Sequence, residues 1–230
     1  MATPEISLKS SLRKSVLKTY RARGRSVSNL WLVYSVKTNS DWILPSDRQL
    51  IHWLYFLETN PDVVSFNLAP EPILSEDNNE VRATELDAIV TFRDGSIAWH
   101  EIKAGKEPND PSHLSQKQAQ INAAAKAHRI YKRFNDTDLA PIVKISLRWL
   151  MAISYAAAIR EHEHINCRTY LLIAIREQKK GTINSLLVEL EGFESAVVLG
   201  VLIRLAIEGY VDINLKDKSF GKLTPWSYRE

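Results

Sequence analysis

The chain has 230 residues, 30 Lys and Arg against 27 Asp and Glu for a formal charge of +3, 45% hydrophobic residues and a single Cys. This composition excludes the disordered, collagen-like and coiled-coil classes, and one Cys excludes an internal disulfide, which fits a reducing compartment. The length suits one large domain or two small ones; without a run of about 18 apolar residues or a signal-peptide core, a cytoplasmic protein with no membrane segment is expected.

The small net charge hides a segregation: residues 1–37 carry +7, residues 38–112 carry −9 and residues 113–134 carry +5. A basic arm over 1–40, with Arg21, Arg23 and Arg25 together, reads either as a polyanion-binding segment or as a solvated tail. A helix is predicted over 47–57, where Leu50, Ile51, Leu54, Tyr55 and Leu57 keep helical spacing behind Pro45-Ser46-Asp47, and Asn60-Pro61-Asp62 ends it. A strand over 63–68, the bracket Pro70-Glu71-Pro72 and a polar turn over 75–80 follow. Strands over 82–92 and 96–103 are joined at Asp94-Gly95, a strong hairpin signal. A loop over 104–112, a helix over 114–127 and a strand over 129–134 complete this region. Beyond Pro141 the pattern is helical over 142–160, 168–179, 182–190 and 194–208, with short strands over 210–215 and 221–228. Three helices and a two-stranded hairpin make a winged-helix outline, so we divide the chain at about 140 into domains 41–140 and 141–230.

The hairpin carries the chemistry. Leu86, Ala88, Val90 and Phe92 are expected on one face of its first strand and Asp87 on the other, while Glu101 and Lys103 share a face of the second. A hairpin then brings Asp87, Glu101 and Lys103 together. Two carboxylates beside the backbone carbonyl of Ile102 form a hard oxygen site suited to Mg²⁺ or Mn²⁺, which would polarise a phosphodiester. Lys103 would orient water or offset charge. A second acid-x-Lys triplet, Glu177-Gln178-Lys179, lies on a predicted surface helix and reads as a plain charge pair.

Helix, strand, Asp-bearing strand, Glu-x-Lys strand and helix in this order resemble the PD-(D/E)XK nuclease superfamily, and more closely the TnsA-type endonuclease subunit of heteromeric transposases. The resemblance runs from about Ser46 to Trp149. It rests on Ser46-Asp47, Thr84 to Asp87, Asp94-Gly95, Ile102-Lys103, Asp138 with Pro141-Ile142-Val143-Lys144, and Trp149-Leu150. It implies a restriction-endonuclease-like α/β domain, a mixed sheet flanked by helices, followed by a winged helix. It also implies Mg²⁺-dependent cleavage of the non-transferred strand at transposon ends, with Asp87 and Glu101 on the metal and Lys103 as motif lysine. The implied partners are a TnsB-like DDE transposase subunit and a TnsC-like AAA+ ATPase regulator. The family has a catalytic Glu on the first helix, where this chain has Gln49. An amide can ligate metal through its oxygen but supplies neither charge nor a base. An active enzyme, with Asp47 or Glu58 substituting, and an impaired, DNA-bridging subunit therefore both stay open, as does a stand-alone restriction or repair nuclease.

Lys117, Lys126, Arg129, Lys132 and Arg133 occupy a stretch with no acid, and they read as a DNA-holding wall. The helix over 194–208 is apolar nearly all round, so it is expected in the core or against a partner, and the C-terminal domain is expected to dock protein. The six Trp are expected as core or half-buried residues; Trp31 and Trp42 are the two to test for DNA contact. His162, His164 and Cys167 read as a surface His pair beside a core Cys.

Overall fold

Ser46 opens the first helix by accepting a hydrogen bond from the Gln49 amide at 3.2 Å through its Oγ, which satisfies one of the free donors of the first turn. The computed structural model describes residues 29–77, 80–105 and 111–229, with Ser15 and Tyr20; Arg21, Arg23 and Arg25 lie outside the described residues. Helix α1 is regular over Asp47–His52 and widens to a π-helical segment over Trp53–Glu58. Thr59 closes it, with both its amide and its hydroxyl donating to the Leu54 carbonyl.

Ahead of α1, strands β1 (Trp31–Ser35) and β2 (Ser40–Leu44) pair antiparallel, so residues 31–40, read as part of the arm, belong to a hairpin. After α1 come β3 (Val63–Asn67), the hairpin β4 (Ile73–Asp77) and β5 (Glu80–Thr84), then β6 (Ala88–Phe92) and β7 (Ile97–Ile102). Two expectations change here. The single strand over 82–92 is two strands separated by Glu85-Leu86-Asp87, and the turn over 75–80 shrinks because Asp77 pairs with Glu80. Gly95, at φ 83°, makes the turn between β6 and β7, where the Ser96 amide donates to Asp94 Oδ1 at 2.9 Å.

Helix α2 (Pro111–Lys126) carries the chain over to β8 (Ile130–Phe134), which lies parallel to β7. The sheet order is β3-β6-β7-β8, antiparallel except for the last pair. A βαβ crossover of this kind needs an intervening helix, and α2 supplies it. The result is a mixed sheet flanked by helices.

Short α3 (Asp136–Leu139) starts with a capping box between Asn135 and Asp138. It leads through Ala140–Ile142 into α4 (Val143–Ala158). Then follow α5 (Ile165–Gln178), β9 (Lys180–Thr182), α6 (Ile183–Glu189), α7 (Ser195–Ile207), β10 (Val211–Ile213) and β11 (Pro225–Tyr228). The three strands form a small antiparallel sheet in the order β10-β11-β9, one strand more than expected. By length and mean composition alone Asp136–Ala158 is apolar enough to cross a membrane, but Asp138, Lys144 and Arg148 interrupt it, so it is not an unbroken apolar run. Its inner residues Ser146, Ala152, Ile153 and Ala156 are buried, and α4 packs on α7.

α7 is buried along most of its length, and Arg204 spends its guanidinium on the carbonyls of Ile159 and His162, at 2.7 and 2.9 Å, where α4 ends. A Cβ on Gly200 would lie 2.7 Å from the Tyr155 carbonyl oxygen, so the two helices touch only because position 200 has no side chain. One apolar core joins Val33 and Trp42 of the first hairpin, Leu50, Trp53 and Leu54 of α1 and Val90 of β6 to Ala156 and Leu202. Arg93 ties the two halves at the surface, donating to the carbonyls of Pro61 and Glu208, both at 3.2 Å.

Candidate active site

Alternation along β7 and β8 sorts the side chains into two layers. Trp99, paired in register with Tyr131, packs with Leu86 and Ala124 under α2, and Glu101 stands beside Arg133. On the other face Phe134 and Ile102 meet Ile51 and Phe56 of α1. Leu86 was expected to share a face with Ala88 and Val90. It packs instead with Trp99, because the strand begins only at Ala88 and the preceding bend frees residue 86 from the pleat.

That bend also places Asp87. The residue is 2% exposed, its amide donates to the His100 carbonyl at 2.9 Å, and its carboxylate sits at the end of the sheet. Oδ2 accepts from the Ile102 amide at 2.7 Å and Oδ1 from Gln49 Nε2 at 3.2 Å. Ile102, expected to contribute its carbonyl, is therefore seen using its N–H. Glu101 is 1% exposed and forms an ion pair with Lys103, Nζ to Oε1 2.5 Å. Lys103 keeps 37% of its side chain in solvent while its amide donates to the Phe134 carbonyl. Gln49, Asp87, Glu101 and Lys103 thus come from α1 and the β6–β7 hairpin to one end of the sheet.

The oxygen Oε1 of Gln49 is buried without a hydrogen-bond partner. A buried carbonyl left over beside a carboxylate is a fitting donor for a hard cation. Among the described residues no group of three or more His, Cys, Asp or Glu comes together as a metal cage; the side-chain oxygens at this end of the sheet belong to Asp87, Glu101 and Gln49. Neither substitute considered for position 49 serves. Asp47 accepts from Trp31 Nε1 at 2.8 Å and from Asn29 Nδ2, and Glu58 is fully buried, accepting from Ser35 Oγ and the Val36 amide, both at 2.7 Å. Burial outweighs these bonds and lifts the Glu58 carboxyl to about 7.

The basic residues separate. Lys117, Arg129 and Arg133 line one cavity between α2 and β8. Lys126 is exposed at the end of α2, and Lys132, on the opposite face of β8 from Arg133, lies over the Phe92 ring at 5.3 Å. Trp42 is 8% exposed and donates its indole N–H to Thr38 Oγ1, which removes it from DNA contact, and Trp31 is half-buried. His162 and His164 meet edge to face, while Cys167 is 2% exposed in the core.

Two groups near the site escaped the sequence reading. His52 Nε2 lies 3.0 Å from His100 Nδ1 in a buried pair ringed by Phe56 and Phe134, and burial together with His52 and Lys132 pushes His100 down to about 2. Tyr131 donates its hydroxyl to Gln120 Oε1 at 2.7 Å. Helical spacing places His52 beside Gln49, one turn on, but nothing in the chain signals a partner 48 residues away. No protein-family model matches the chain, and no curated protein matches it.

Proposed function

We propose that the chain is a metal-dependent DNA endonuclease subunit of a cut-and-paste heteromeric transposase, cleaving the non-transferred strand at transposon ends. The observation that carries this reading is the convergence of buried Asp87 and Glu101 with Gln49 and Lys103 at one end of a mixed sheet. Asp87, Glu101 and the Gln49 carbonyl would hold Mg²⁺ or Mn²⁺. When bound, such an ion polarises a phosphodiester and stabilises the leaving oxygen. Lys103, partly in solvent and tethered to Glu101, holds positive charge where a phosphate arrives, and the Ile102 N–H keeps Asp87 turned toward Gln49.

On this reading residues 141–230, from α4 to β11, form a winged-helix domain that docks protein, and the partners are a DDE transposase subunit and an AAA+ ATPase regulator in the cytoplasm. Support for docking over base reading comes from α7, whose residues are spent on the core and whose Arg204 is spent on α4. Asp87→Ala and Lys103→Ala should each abolish Mg²⁺-dependent nicking of a transposon-end duplex while the circular dichroism spectrum is kept; normal nicking by the Asp87 variant would sink the reading.

A second reading has its own observation. The Gln49 amide already occupies Asp87 and the Lys103 ammonium already occupies Glu101, which suits a non-catalytic subunit that binds DNA and bridges its partners. Calorimetric titration with Mn²⁺ separates the two: binding that Asp87→Ala removes supports the enzyme, and none supports the bridge.

A further inference from the structure

The cavity between α2 and β8 has a volume of about 420 Å³, inside the range of roughly 300–1,000 Å³ that small-molecule sites occupy. Its lining is divided. Lys117, Arg129 and Arg133 supply three cations among the described lining residues, while Ile121, Ala124 and the Tyr131 ring make an apolar wall. Arg133 Nε is buried with no hydrogen-bond partner, so one donor of the guanidinium is left for something other than protein. Tyr131 has its hydroxyl committed to Gln120, so the ring is what it offers the hollow. The cavity also adjoins the carboxylates, since Arg133 stands in register with Glu101, and both Glu101 and Asp87 help burial to raise the Tyr131 phenol.

A hollow with an apolar wall on one side and three cations on the other fits a planar body joined to a phosphate. We propose that this cavity takes one nucleoside 5′-monophosphate unit, its base against Tyr131, Ile121 and Ala124 and its phosphate among Lys117, Arg129 and Arg133. The inference rests on the nucleic-acid reading above and narrows it. The preferred substrate is DNA with an unpaired or extruded nucleotide beside the bond to be cut, because a base already out of the stack avoids the unstacking cost.

Binding is measured with the full chain in EDTA, so that neither metal nor cleavage enters the readout. The probes are a duplex carrying one unpaired 2-aminopurine nucleotide, the same duplex fully paired, and thymidine 5′-monophosphate as competitor. The unpaired duplex should bind about tenfold more tightly than the paired one. Ala125→Phe, at the exposed mouth, adds bulk to the hollow without changing charge and should erase that preference; Arg133→Gln should weaken both duplexes. Circular dichroism checks that each variant is folded. Displacement of the 2-aminopurine signal by thymidine 5′-monophosphate at an affinity matching the duplex, lost in Ala125→Phe, would support the same site with free nucleotide as its source. Equal affinity for the two duplexes without displacement by the mononucleotide, or a preference that survives Ala125→Phe, overturns the proposal. Failure of nicking leaves these outcomes intact, and failure here leaves the nuclease reading intact.

Discussion

Gln49 holds the site together without charge. Its amide N–H donates to Asp87 at 3.2 Å while its oxygen is left over. Gln49→Glu would bring a second carboxylate against Asp87, so we expect a lower Tm in EDTA than for the parent chain. Saturating Mg²⁺ should reverse the order, since an ion at 100 times its Kd adds about 2.7 kcal/mol. Differential scanning calorimetry with and without Mg²⁺ checks this, and a variant indifferent to Mg²⁺ would count against Asp87 as a ligand. Glu58 offers a separate test. Its folded-state value of about 7 lies above its ordinary 4.5, so the fold binds a proton that the unfolded chain releases. Its contribution to stability is therefore full below about pH 4.5 and lost as pH rises to about 7, at up to about 1.4 kcal/mol per pH unit. Glu58→Gln removes that slope: relative to the parent, the variant should gain stability from pH 5 to pH 7. A constant difference in Tm would contradict the assignment.

Among the elements, the hairpin at Asp94-Gly95, helix α1 and most of the C-terminal helices were legible, because each depends on local signals: a turn dipeptide, a Ser46 cap, apolar residues at helical spacing. What could not be read depends on the partner strand. Residues 82–92 carry unbroken strand character, and only pairing decides that 80–84 goes to β4 and 88–92 to β3 and β7. The displaced face of Leu86 follows from that division, and so does the release of Asp87 from the pleat. Alternation along β7 made the facing of Glu101 legible, but Asp87 lies in the bend before β6, where alternation does not place it; the Gln49 contact was legible only through family resemblance, since 38 residues separate it from Asp87. The α4–α7 contact makes a sharp prediction. Gly200→Ala forces a methyl to within 2.7 Å of the Tyr155 carbonyl. Overpacking of this kind costs about 1–3 kcal/mol, measurable as a drop in the urea midpoint at unchanged m. A neutral Gly200→Ala would mean that the helices can separate freely.

At the scale of the molecule, the charge pattern that looked like three blocks resolves into placed groups: buried acids at the sheet end, three cations around one cavity, and Lys132 on the far face. The core does not stop at residue 140. Leu54 and Trp53 share it with Ala156 and Leu202, and Arg93 reaches the Glu208 carbonyl. Unfolding should accordingly be a single cooperative transition. A chain ending at residue 140 should lack stable tertiary structure, since it would expose the α1 face that α4 covers. Near-ultraviolet circular dichroism of that fragment checks this; native-like signals would show that the first 140 residues stand alone.

The π-helical turn in α1 gives the helix two rotational phases. Its first half is aimed by Ser46 so that Gln49 meets Asp87, and its last residue, Glu58, is aimed at the β1–β2 hairpin. A wide turn holds about one residue more than an α-turn. Losing one residue between 53 and 58 would restore an ordinary helix and swing Gln49 by about 100° relative to Glu58. The helix therefore works as a gear set by chain length, and a single deletion there would uncouple the site from the core without changing a residue of either.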